Sequence, residues 1–163
     1  MNAHSEARLA LVMPEMAEII RQVEARCNLD PSFTAENAKL EVTQGIRTWP
    51  EQDALWAIGH TEPGKPVTNA KGGESWHNYG CAVDVAPFIN DQQPDWDESH
   101  PAWARIVEIG ESLGLRSGIS WKDEPHFEYT GTFPPDPPQS VKDLYASGGV
   151  EAVWNAIRGS FPD

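Results

Sequence analysis

The stretch GESWHNYGCAVDVAPF, Gly73 to Phe88, places a carboxylate where a chain can least tolerate one. Asp84 lies inside a run of strand composition, with Val83 and Val85 on one face and Ala82, Asp84 and Ala86 on the other. Such a carboxylate is at least half buried, and a buried charge is costly unless it is paired, hydrogen-bonded or bound to a metal. Whatever the fold, it must bring a neutralising group to Asp84. Two histidines are placed to do so. His77 stands seven residues upstream in a Ser-Trp-His-Asn-Tyr-Gly turn, and His126 lies in a second alternating run, EPHFEY. That alternation sets His126 and Glu128 on one face and Phe127 and Tyr129 on the other.

The rest of the pattern supplies a frame. Met16, Ile19, Ile20, Val23 and Cys27 form a 3.6-residue stripe behind Pro14, which predicts a helix over 14–27, with Leu9, Leu11 and Val12 as an entry segment. AKLEVTQG reads as a short strand ending near Gly45. Thr48 as a cap and Pro50 in the first turn start a short helix ending at Gly59, with Leu55, Trp56 and Ile58 for packing. A long Gly/Pro/Lys-rich loop then leads into the histidine turn, and a loop of that length in a compact domain is more often functional than accidental. After an acidic loop over 90–101, residues 102–113 form a helix with Ile106, Ile109 and Leu113 inward. Two helical pieces, 140–147 and 150–158, follow the Pro-rich connector TFPPDPPQS, and Val150, Val153, Trp154 and Ile157 give the second a packing stripe. Helices and strands mix without the regular alternation of a parallel sheet. The expected class is α+β, a small antiparallel sheet with helices packed on one side.

Charge excludes several functions. The formal net charge is -13 over 163 residues, with no Lys/Arg cluster, so nucleic acids and anionic membranes are poor partners. No segment reaches membrane-spanning length, and LALVM is too short for a signal core and follows Glu6. The expectation is a monomer, cytoplasmic as synthesised. Two cysteines, Cys27 and Cys81, are too few for a disulfide framework or a zinc-thiolate site and read as small core residues.

If the two alternating strands are neighbours, His126 lies beside Asp84 and His77 can fold over both, giving two imidazoles and one carboxylate. Three such ligands fit an open tetrahedral zinc site whose fourth position is left to water, and the ion would neutralise Asp84. Asp123, three residues before His126, is near enough to exchange a proton with that water. The plain alternative is two structural histidines in an ordinary domain.

The residues also carry a family resemblance. SWHNYGCAVDV resembles the Ser-x-His-x-x-Gly-x-Ala-x-Asp signature of zinc peptidoglycan peptidases, the family of D-Ala-D-Ala carboxypeptidases and L-alanyl-D-glutamate endolysins. DEPHFE resembles their Asp-x-Pro-His-Phe-Glu box, and the upstream segment with its Gly-x-Arg turn is similar as well. The resemblance implies a hedgehog/DD-peptidase-like fold, one zinc ion on His77, Asp84 and His126, Asp123 as general base and acid, and Arg47 steadying the oxyanion. It sets a catalytic domain at 1–131, with 132–163 as connector and helices packing on the same domain. Ser75 matches a substrate-contacting position, or else is a turn residue bonding its own backbone. Glu128 either orients an imidazole or is a solvated strand residue. Gln52 and Thr68 have a weaker claim. The chain departs from the family at SGISWKDEPHFE, where relatives often show Gly-Gly-Asp-Trp, and at His60, where arginine is common.

The implied activity is cleavage of a peptidoglycan stem peptide, at the L-alanyl-D-glutamate bond, as in a phage or prophage lysis enzyme. A D-Ala-D-Ala carboxypeptidase or dipeptidase is the alternative, and a zinc domain that only binds a partner is a second one.

Overall fold

The computed structural model describes residues 1–90 and 93–161, so the acidic loop expected over 90–101 lies partly outside the described residues, at Asp91 and Gln92. The chain divides into two compact units, Met1–Gly45 with Ala82–Tyr129, and Ile46–Cys81 with Thr130–Asp163.

The first unit holds an antiparallel sheet of β1 (Ala38–Gln44), β2 (Ala82–Ile89), β5 (Asp123–Glu128) and β4 (Arg116–Gly118), in that order, with the two-residue β3 (Gln93–Pro94) also on β2. Its helices are α1 (Ala3–Leu9), α2 (Pro14–Cys27), α3 (Pro31–Thr34) and α5 (Pro101–Ser112). The class is α+β, as the pattern predicts. Helix α2 matches its expected span, burying Met16, Ile20, Val23 and Cys27 with Ile19 at its margin. Helix α5 presses on β5 so closely that a Cβ on Gly110 would lie 2.4 Å from the Phe127 ring. Val83 pairs with Phe127 and Asp84 with His126 across the ladder, so the helix takes the Val83/Phe127 face and the Asp84/His126 face is left for chemistry.

α1 and β4 are among the elements that escape pattern reading. α1 buries only Ser5 and Leu9 and has no apolar stripe; it is docked on β1 by Glu41, which accepts the Asn2 N–H and the Ser5 hydroxyl. β4 has three residues, too short for a period of two to show.

In the second unit, α4 (Trp49–Ala57) opens with a capping box between Thr48 and Glu51. Leu55, Trp56 and Ile58, expected to pack, are half-buried, and Gln52 is the residue the helix buries fully. α6 (Gln139–Arg158) breaks at Gly148 and Gly149, giving the two helical pieces expected from the sequence. Val153, Trp154 and Ile157 are buried along the second piece.

Candidate metal centre and active site

On the sheet, strand register does the positioning. Asp84 and His126 are direct cross-strand partners, and Asp84 Oδ1 lies 3.2 Å from His126 Nδ1. The other ring nitrogen, Nε2, lies 2.9 Å from Glu128 Oε1. Glu128 is therefore no solvated strand residue: its side chain is 4% exposed and grips the imidazole. Arg116 Nη1 donates to Glu128 Oε2 at 3.0 Å from β4.

β5 is bulged beside this pair. Ser117 faces Phe127 in the ladder, but the next residue, Gly118, faces Asp123, so residues 124–126 are skipped in the pairing with β4. A Cβ built on Gly118 would lie 3.0 Å from the Cβ atoms of both Asp123 and His126, and 2.2 Å from the Asp123 carbonyl oxygen. Asp123 thus stands beside His126, its side chain exposed, because position 118 carries no side chain. Trp121, itself partly exposed, meets the His126 ring edge-on at 6.0 Å between centroids.

His77 is placed by different means. It sits in a 3-10 turn, Trp76–Tyr79, whose Ser75 cap accepts the His77 N–H at 3.3 Å. Gly80 ends the turn at φ 66°, a left-handed conformation that explains the glycine of the motif. Asn78 Oδ1 accepts the N–H of Gly73 and of Ser75 while its amide donates to the Arg47 carbonyl. Aromatic side chains fix the turn from beneath: Trp76 Nε1 donates to the Pro134 carbonyl, the Tyr79 hydroxyl to the Gly73 carbonyl, and Trp154 Nε1 to the Tyr79 carbonyl. Burial in this packing pushes the Tyr79 phenol up to about 12. The Arg47 N–H donates to the His77 carbonyl at 3.0 Å, and its guanidinium to Gln52 Oε1 at 2.8 Å. Gln52 is fully buried and spends its amide on the Ala70 carbonyl, which ties Arg47 to the long loop.

One donor atom each from His77, Asp84 and His126 falls within 4.8 Å of the other two, the metal-capable cluster among the described residues. The donor set fits zinc. With bonds of about 2.0–2.1 Å, tetrahedral ligands sit roughly 3.3 Å apart, and the 3.2 Å between Asp84 Oδ1 and His126 Nδ1 is that spacing. The ring also sits where positive charge is favoured: burial works against a charge on His126, but the bonds from Asp84 and Glu128 outweigh it and raise its pKa to about 10.

Residues 68–129 match a family model described as D-alanyl-D-alanine carboxypeptidase. That segment contains both boxes, with His77, Asp84, Asp123 and His126. The chain is 41% identical over 97 residues to the peptidoglycan L-alanyl-D-glutamate endopeptidase CwlK of Bacillus subtilis (strain 168), over 53% of this chain, and it spans 58% of that relative's length. The L-Ala D-Glu endopeptidase ChiX of Serratia marcescens superposes with a TM-score of 0.53 at 21% identity, covering 78% of this chain and 87% of its own, which shows a shared fold. The peptidase resemblance drawn from the two boxes is therefore shown.

The remaining residues fall as follows. Cys27 and Cys81 are buried free thiols, and burial pushes Cys27 up to about 12. His100 caps α5, its ring Nδ1 accepting the Ala102 N–H. Ser75 takes the turn role against His77, while Thr68 Oγ1 stands 3.4 Å from Gln52 Nε2. Arg116 and Gly118 are the residues that sequence patterning misses. Only the lone glycine in SGIS hints at a close backbone approach.

Proposed function

We propose that this chain hydrolyses a peptide bond in the stem peptides of peptidoglycan, using one zinc ion held by His77, Asp84 and His126. The observation that carries this reading is the convergence of those three donors, with Asp123 set beside His126 by the β5 bulge. A bound zinc ion supplies Lewis-acid polarisation of the scissile carbonyl and acidifies water to a pKa of about 7.

Asp123 is the general base and acid. Its exposed carboxylate takes a proton from the attacking water and returns it to the departing amine, a role worth roughly 10²- to 10⁴-fold in rate. Arg47 steadies the oxyanion of the tetrahedral intermediate, and losing such a donor costs roughly 10²- to 10³-fold in kcat. Gln52 holds that guanidinium. Ser75 contacts substrate: its oxygen accepts from His77, which leaves the hydroxyl proton to offer outward.

The bond cleaved is L-alanyl-D-glutamate, as the printed activities of CwlK and ChiX support. The description of the family model favours a second reading, removal of terminal D-alanine. Digestion of purified peptidoglycan with mass identification of the fragments separates them. Release of D-glutamate N-termini supports the first, free D-alanine supports the second, and no fragment from a zinc-loaded chain leaves a zinc-binding domain without hydrolysis.

A further inference from the structure

Resting on the zinc reading above, we propose that Arg116 and Glu128 are positioning residues: together they lock the His126 ring and so set the affinity of the metal site. The two are direct cross-strand partners, and Glu128 shares a face with His126 two residues before it. Its two oxygens are divided between them, Oε2 to Arg116 at 3.0 Å and Oε1 to His126 Nε2 at 2.9 Å. On its other side Glu128 faces Ala82, whose methyl offers neither oxygen a competing partner.

Burying this carboxylate is expensive, and a pair of apolar residues would hold two strands together at least as well. What an apolar pair cannot do is occupy one imidazole nitrogen. With Nε2 donating to Glu128, the ring is held in one orientation and Nδ1 is left facing Asp84, 3.2 Å away. Arg116, 30% exposed at the sheet edge, donates to Glu128 and acts through it.

The test is a titration of the metal-stripped full chain with Zn²⁺ against a competing chelator, repeated with Co²⁺ to read its visible absorption. Glu128→Gln should bind zinc roughly ten- to a hundredfold more weakly and alter the cobalt spectrum. Arg116→Met should weaken zinc binding by a smaller factor, add nothing in the Glu128→Gln background, and be partly rescued by Arg116→Lys. Equal zinc affinity in the parent, Glu128→Gln and Arg116→Met overturns the positioning role, even if the metal-free variants melt lower. A parent chain that binds no zinc overturns the zinc reading itself, a different result. Arg116 is partly exposed, so Arg116→Met keeps the test open should Glu128→Gln fail to fold.

Discussion

The sheet of the first unit and the histidine turn of the second hold their functional side chains in opposite ways. On the sheet, Asp84, His126 and Glu128 are fixed by ladder register and by one another. In the turn, His77 and Arg47 are fixed by caps, main-chain bonds and aromatic packing. The lesson concerns precision. Register places side chains through many shared backbone bonds, so one wrong residue shifts a whole row. Caps act singly, each worth about 1 kcal/mol. The sheet half should therefore break abruptly and the turn half erode by degrees.

The largest expected effect is chemical. Asp123→Ala should lower hydrolysis roughly 10²- to 10⁴-fold while zinc content and melting temperature stay at parent values, since the side chain is exposed. Next is Gly118→Val, which forces a branched side chain onto the Asp123 carbonyl. It should cost about 1–3 kcal/mol or more in a denaturant melt and depress activity and zinc affinity together. On the turn side, Gln52→Leu leaves the Ala70 carbonyl without its donor and frees the Arg47 guanidinium. We expect about 1–3 kcal/mol of lost stability and a fall in kcat of up to roughly 10²-fold with zinc affinity unchanged. The smallest is Ser75→Ala, which removes the cap on the His77 turn and should cost about 1 kcal/mol with a slight loss of zinc affinity. If the turn variants proved as abrupt as Gly118→Val, the contrast between the halves would fail.

Legibility in the sequence follows the same division. Helix α2 is legible because its stripe repeats for four turns. The histidine turn is legible because each motif residue acts locally, with Ser75 capping, Gly80 turning left-handed and Asp84 following in a strand. Arg116 and Gly118 are not legible, because their effect runs through pairing with Glu128 and Asp123 from a strand too short to signal itself. Gln52 is a polar residue in a short helix whose apolar residues suggest the packing, yet it is the residue that helix buries. Glu128 is ambiguous for a related reason: alternation gives its face, and only packing against His126 and Arg116 gives its burial.

The central claim is that His77 joins Asp84 and His126 on one ion. Metal analysis of the purified chain tests it most directly. About one equivalent of zinc per chain is expected, lost in His77→Ala and in Asp84→Ala while both variants keep the parent's circular dichroism. A chain without zinc, or zinc retained undiminished in either folded variant, would contradict it.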